Sequence, residues 1–210
     1  MMNREILLAT NNTHKLKEIE ELFKGYEVKL PVDLGIEYSF HEGGVTYLEN
    51  ALGKARHLYG LLEQEGLAGR FVVLADDSGL SVDALGGEPG IRSARFGGRE
   101  IDGKIEKLTD AERNIYLLER LKGISDRSAH FICCMVLVVE HERFYIVQEK
   151  LDGYIAMEPR GKEGFGYDPL FYIPERGKML AELSMAEKNR ISHRGRAAAL
   201  MLELLKVLDR

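Results

Sequence analysis

Ser128-Ala-His-Phe-Ile-Cys-Cys-Met-Val-Leu-Val-Val139 is the stretch on which the fold turns. Successive side chains of a strand point to opposite faces, and from Phe131 to Val139 both faces are apolar. A strand of that kind sits inside a sheet covered on both sides. The polar turn at residues 140–143 leads into a second run, 144–149, which is expected to return as its antiparallel neighbour. Further strand-like runs occupy residues 6–9, 71–75, 153–156 and 170–173. Helical patterns alternate with them. Leu16, Ile19, Leu22 and Phe23 share one helical face, and Leu48, Ala51, Leu52, Ala55, Leu58 and Leu62 share another. Thr46-x-x-Glu49, Thr109-x-x-Glu112 and Ser184-x-x-Glu187 spell three capping boxes, and Gly123 has the place of a C′ glycine. A last helix starts near Ser192 and is expected to bury Ala197, Leu200, Met201, Leu204, Leu205 and Leu208. The expected fold class is α/β, a mixed sheet flanked by helices.

Composition narrows the class of function. The chain has 210 residues, long enough for a sizeable core, and a formal net charge of -5, which disfavours holding nucleic acid by bulk electrostatics. Met1-Met2-Asn3-Arg4-Glu5 runs into a strand-length apolar segment rather than a signal-peptide core, and no window approaches the ~18 apolar residues of a membrane span. A cytoplasmic protein without membrane or nucleic-acid partners is expected. Cys133 and Cys134 are the only cysteines; being adjacent in a strand they face opposite ways, which suits a reducing compartment.

Two expected helix starts carry cations where the helix dipole disfavours them by roughly 0.3–1 kcal/mol. Thr10-Asn11-Asn12-Thr13 precedes His14, Lys15 and Lys17, and Ser192 precedes His193-Arg194-Gly195-Arg196. An anion docked on the free backbone N–H groups would make sense of both, and two such ends suit a polyphosphate. Surface lysines are the ordinary alternative at either end taken alone.

Acids supply the complementary chemistry. The run Phe71-Val-Val-Leu-Ala75 is expected to end at Asp76-Asp77-Ser78-Gly79, which puts carboxylates at the carboxyl end of a strand, where α/β sheets bind ligands. Alternation leaves open which aspartate faces the site. Glu42 stands just before the Thr46 cap, and carboxylates with phosphate oxygens are the ligands Mg²⁺ uses. A turn whose acids cap backbone amides is the competing account of Asp-Asp-Ser-Gly. Lys54, on the flank of the second helix, is either a snorkelling lysine or a phosphate ligand.

Gly164-Phe165-Gly166-Tyr167-Asp168-Pro169 sets aromatics that could stack on a base into a flexible loop, although core anchoring is the commoner use of such aromatics. Lys188 and Ser192-His193-Arg194 follow. Arginine only donates hydrogen bonds, so it suits a 6-oxo purine and mismatches the amino group of adenine. Gly98 to Ile105 nearly spells a P-loop, but Ile105 replaces the metal-binding hydroxyl and no apolar strand precedes Gly98.

At these residues the sequence resembles the inosine triphosphate pyrophosphatase family, the non-standard purine nucleoside triphosphate pyrophosphatases. The stretches that carry the resemblance are Thr10-Asn-Asn-x-x-Lys15, Glu42 with Glu49-Asn-Ala-x-x-Lys54-Ala-Arg, Ala75-Asp-Asp-Ser-Gly-Leu80, Gly86-Gly-x-Pro-Gly-Ile-x-Ser-Ala-Arg95, Gly164 to Pro169 and Glu187-Lys-x-x-x-Ser-His-Arg-Gly195, in this order over nearly the whole chain. The resemblance implies hydrolysis of ITP, dITP and XTP to monophosphate and pyrophosphate. It further implies a single domain over residues 1–210, an elongated mixed sheet with two lobes and a cleft between them, and a homodimer. Carried over by residue, it implies that Thr10, Asn11, Asn12, Thr13, His14 and Lys15 cradle the triphosphate with Lys54 and Ser78. Asp77 is the implied general base and, with Glu42, the ligand of Mg²⁺. Phe165, Gly166, Tyr167, Asp168, Lys188, His193 and Arg194 are implied to hold base and sugar. The rivals are a Maf-like pyrophosphatase of modified or pyrimidine nucleotides and a nucleotide sensor without turnover. Both acids of the expected site, Glu42 and Asp77, speak against the sensor. A kinase lacks its P-loop.

Overall fold

A computed structural model of the chain describes residues 5–10, 12–101 and 104–209, with side chains at all of these except 13, 14, 99–101, 104 and 105. In chain order the elements are β1 (Glu5–Leu8), α1 (Thr13–Leu22), β2 (Val28–Lys29), α2 (Tyr47–Gln64), β3 (Phe71–Val82), β4 (Arg99–Ile101), β5 (Lys104–Glu106), α3 (Asp110–Arg120), β6 (Ser128–Glu140), β7 (Arg143–Ile155), β8 (Phe171–Ile173), β9 (Lys178–Met179), α4 (Met185–Ile191) and α5 (His193–Leu208). Seven strands form one sheet in the order β2-β1-β3-β6-β7-β8-β9. The sheet is mixed, as expected from sequence: β1 pairs in parallel with β2 and β3, whereas β7, β8 and β9 pair antiparallel. The chain divides into two compact units, one from Met1–Asp77, Cys133–Glu149 and Arg194–Arg210, the other from Ser78–Ile132 and Lys150–His193.

In the first unit, alternation along the strands sorts the core into two faces. Ile6, Leu8, Val72, Leu74, Cys133, Met135, Leu137 and Val139 pack with Ile19 and Phe23, and with Ala197, Ala198, Met201 and Leu205 of α5. Leu7, Ala9, Val73, Ala75, Cys134, Val136 and Val138 pack on the other face with Ala51, Ala55, Leu58 and Leu62 of α2. Each fully buried leucine here is worth roughly 1.5–3 kcal/mol. The two cysteines thus face opposite ways, and burial raises both thiols, Cys134 to about 11, which leaves them unreactive. The expected stripe of α5 needs one correction. Leu200 is half exposed, because the buried face runs through Ala197, Ala198, Met201 and Leu205 and position 200 lies round the helix from it.

The second unit closes its own core with Leu80 and Val82 of β3, Leu117 of α3, Phe131, Leu151, Ile155, Leu170, Phe171, Leu180 and Leu183. In the stretch that nearly spells a P-loop, β4 and β5 make an antiparallel ribbon with Ile101 opposite Lys104, and the next helix, α3, starts only at Asp110. The runs expected at 144–149 and 153–156 are one strand, β7, and the expected end of a strand at residue 75 is absent, since β3 continues through Asp76 and Asp77 to Val82.

The boxes at Thr109 and Ser184 close reciprocally. At Thr46 only half does: Thr46 Oγ1 accepts from Glu49 N, but the Glu49 carboxylate accepts from Val45 N instead. Gly123 has φ +78° but lies two residues past the C-cap Leu121, so the turn after α3 is longer than a C′ glycine would make it. Gly53, inside α2, costs about 1 kcal/mol against alanine by helix propensity. Its reason is close approach: a Cβ there would lie 2.6 Å from Cζ of Phe40. Gly53→Ala is therefore expected to lower stability by about 1–3 kcal/mol despite the gain in propensity. Urea denaturation checks this, and Phe40→Leu in the same chain should recover most of the loss.

Candidate active site

Because β3 runs on, its alternation continues through the aspartates. Asp76 shares the face of Val72 and Leu74 and meets α1 and α5; Asp77 shares the face of Val73 and Ala75 and meets α2. Two adjacent carboxylates thereby enter different surroundings.

Asp76 is 3% exposed and surrounded by cations. Its Oδ2 lies 3.1 Å from Lys15 Nζ and accepts from Nε and NH2 of Arg194, each at 3.2 Å. Arg194 NH1 donates to Glu18 Oε2 at 2.5 Å, so two buried acids share one guanidinium. Burial alone would raise the Asp76 carboxyl; Lys15, Arg194 and Lys54 outweigh it and hold the group far below the usual carboxylate range. The Lys15 ammonium is shifted down by its own burial, against the pull of Asp76.

Asp77 is held from α2. Asn50 Nδ2 donates to its Oδ2 at 3.0 Å, and Lys54 Nζ lies 3.7 Å from its Oδ1. Residues 50 and 54 are one turn apart on the helix and so present both groups on one face. Lys54 also donates to Glu42 Oε1 at 2.9 Å and to the Asp76 carbonyl at 2.7 Å, while Asn50 Oδ1 accepts from Gly44 N and ties down the loop that carries Glu42. Burial raises the Asp77 carboxyl, with Lys54, Lys15 and the Asn50 hydrogen bond opposing it and Glu42 adding to it. One aspartate is a locked anion and its neighbour is displaced toward the protonated form, the separation that distinguishes a structural acid from a candidate base.

Glu42 and Asp77 thus turn carboxylates to the same ammonium. Among the described residues no group of three or more His, Cys, Asp or Glu could hold a metal by itself. Two carboxylates fit Mg²⁺ that takes its other ligands from water and substrate oxygens, the ion's usual mode beside phosphates.

Of the residues expected at the triphosphate, Asn11 lies outside the described residues, as do the side chains of Thr13 and His14. Thr10 Oγ1 accepts from Asn12 N, and Asn12 Oδ1 accepts from Lys15 N, so Asn12 serves the start of α1 as a capping side chain. Ser78 is half-buried and follows Asp77 in β3.

In the second unit, Lys188 Nζ donates to Asp168 Oδ2 at 2.8 Å and lies 5.0 Å from the centroid of the Phe165 ring. The same carboxylate oxygen accepts from Phe165 N at 3.0 Å and would lie 2.1 Å from a Cβ at Gly164, where φ is +76°. Only glycine fits there. Tyr167 is 3% exposed and its hydroxyl donates to the Ser93 carbonyl at 2.9 Å, which makes it the core anchor that aromatics in loops commonly are. His193 stacks on Phe131, 4.8 Å between centroids and 9° between planes. Gly166 has both backbone groups engaged: its N–H donates to Asp110 and its carbonyl accepts from Asn114. Arg194, expected with Lys188 and His193 as a reader of the base, is committed instead to Asp76 and Glu18 of the first unit.

The sequence alone assigns no role to Glu18, Asn50, Asp110 or Asn114, and leaves Asp76 an open alternative to Asp77. For Asn50 a signal was present, an amide one helical turn before Lys54. The others acquire their roles from partners far away in sequence.

Comparison with known proteins places the arrangement. The model of the Ham1 family matches residues 6–204. The dITP/XTP pyrophosphatase of Treponema denticola is 47% identical over 194 residues, covering 92% of this chain and 94% of that protein. The dITP/XTP pyrophosphatase of a Thermoanaerobacter species is 46% identical and covers 92% of each. Among solved structures, a HAM1 protein from Coxiella burnetii superposes with a TM-score of 0.79 at 41% identity, covering 98% of both chains.

Proposed function

The chain belongs to the Ham1 family, and from that membership and the groups around Asp77 we propose that it hydrolyses deaminated purine nucleoside triphosphates, namely dITP, XTP and ITP, to the monophosphate and pyrophosphate. Such an enzyme keeps non-standard purines out of DNA and RNA. The observation that carries the reading is the setting of Asp77, a buried carboxylate gripped by Asn50 and standing beside the Lys54 ammonium that Glu42 also binds. The relatives named for dITP and XTP support the substrate class.

In this mechanism Asp77 orients a water and takes its proton as the oxygen attacks the α-phosphorus. The bond from that phosphorus to the bridging oxygen breaks, and pyrophosphate leaves with the bonding pair. Lys15 and Lys54 bind the phosphates; Lys15 exchanges its contact with Asp76 for them, which Asp76 tolerates because Arg194 remains. Mg²⁺, held by Glu42 and Asp77, would supply charge neutralisation at the phosphate oxygens. In the second unit Phe165, Lys188 and His193 are the groups assigned to base and sugar, Asp168 fixing Lys188. Thr10, Asn12 and Ser78 serve the phosphates. The working form is a cytoplasmic homodimer.

Product analysis in water enriched in oxygen-18 tests the reading. XTP and dITP should give pyrophosphate, with the label in the monophosphate alone and little product from ATP or dTTP. Orthophosphate with a diphosphate would mean attack at the terminal phosphorus, and tight XTP binding without product would favour the sensor.

A further inference from the structure

We propose that α3 is the positioning element of the 164–168 loop, its Asp110 and Asn114 fixing the Gly166 peptide group and thereby the purine preference of the enzyme. The inference rests on the function proposed above and deepens its specificity.

Gly166 sits at φ +65° between Phe165 and Tyr167, in a loop that also contains Gly164. Glycines at two of three positions give such a loop little stiffness of its own. The Phe165 amide on Asp168 orders it from within, and the hold on Gly166 is imported. Gly166 N donates to Asp110 Oδ2 at 2.6 Å, and Asn114 Nδ2 donates to the Gly166 carbonyl at 3.0 Å. Residues 110 and 114 are one helical turn apart, so one face of α3 grips both polar groups of a single residue. The grip is itself braced. Arg113 pairs with Asp110 and donates to the carbonyls of Ala94 and Leu108 at 3.2 and 2.8 Å. Asn114 is 6% exposed, and Leu117, the next turn of α3, is fully buried in the core of this unit.

Asp110 is not needed to start the helix, because Thr109 and Glu112 complete a capping box without it. Its carboxylate is therefore available to the loop. On either side of Gly166 stand Phe165, whose ring lies near Lys188, and Asp168, whose carboxylate binds Lys188 and the Phe165 amide. Rotating the Gly166 peptide would move both. A displacement of about 1 Å at groups that orient a substrate costs on the order of 10²-fold in rate.

Asp110→Ala and Asn114→Ala, made singly and together in the full chain, test this with three readouts: kinetics on XTP and ATP, backbone hydrogen exchange at residues 164–168, and melting temperature. Faster exchange in the loop is expected, with KM for XTP up and the preference for XTP over ATP down, each by about tenfold. Asp110→Asn, which keeps an acceptor for the Gly166 amide, should recover most of the preference. Should either alanine variant fail to fold, Asn114→Asp provides the same measurement, being isosteric but placing an acceptor against the Gly166 carbonyl. An unchanged XTP preference in folded variants, with or without faster loop exchange, overturns the proposal and leaves the function intact. A wild type that releases no pyrophosphate from XTP or dITP overturns the function, and this inference with it.

Discussion

Asp77→Asn is expected to lower pyrophosphate release from XTP by on the order of 10²–10⁴-fold, the usual contribution of a positioned base. Its fold should be untouched. The amide is isosteric, its oxygen still accepts from Asn50, and it relieves a buried carboxylate of its charge. Burial raises the folded Asp77 carboxyl above its unfolded value, so the group's favourable contribution is complete below the unfolded value and is lost as pH rises through the folded one. Once ionised, the buried carboxylate carries a desolvation cost that the neutral amide does not. Asp77→Asn should consequently melt no lower than the wild type at pH 7, and nucleotide binding should survive through Lys15 and Lys54. Single-turnover kinetics beside calorimetry decides the matter: turnover within a few-fold of wild type would remove Asp77 from the role of base, and a collapse of melting temperature would make it structural.

What the sequence made legible was what its neighbours determine. The capping boxes at Thr109 and Ser184 involve residues three apart, and both close as the pattern says. The alternation of 133–139 places Cys133 and Cys134 on opposite faces because a strand admits nothing else. The misreading at residues 76–79 has the converse cause. Asp-Asp-Ser-Gly is turn chemistry locally, and a strand that buries two carboxylates is otherwise prohibitive. Cations from positions 15, 54 and 194 make it possible, and their convergence is tertiary. Once β3 continues, alternation turns Asp76 toward α1 and α5 and Asp77 toward α2. The Asn114 contact with Gly166 spans 52 residues and carries no local trace. Arg194 shows the same limit from the other side: that it donates follows from its chemistry, but that buried Asp76 and Glu18 accept from it is set by the tertiary fold.

That commitment of Arg194 makes Asp76→Asn the substitution with the largest expected effect on stability. It has the same chemistry as Asp77→Asn, one residue earlier in the same strand, and the opposite expected outcome. The Asp76 carboxylate is the charge that compensates Arg194, Lys15 and, in part, Lys54; without it Arg194 loses the acceptor of two of its donors, and the Lys15 ammonium loses its ion-pair partner. Removing one member of a buried pair typically costs about 3–5 kcal/mol, a large share of the stability of a domain. Urea denaturation at pH 7 should show a loss of that size for Asp76→Asn and little for Asp77→Asn. The pH dependence carries an independent sign. The folded Asp76 carboxyl lies far below its unfolded value near 3.9, so its contribution is present above that value and is lost as pH falls below it. The wild type should therefore lose stability steeply below about pH 4, and Asp76→Asn, having nothing there to titrate, should lose less over the same interval. A loss for Asp76→Asn as small as that for Asp77→Asn at pH 7 would mean that the cations around Asp76 relax into water when it is neutralised, and that its ion pairs are no stronger than surface ones.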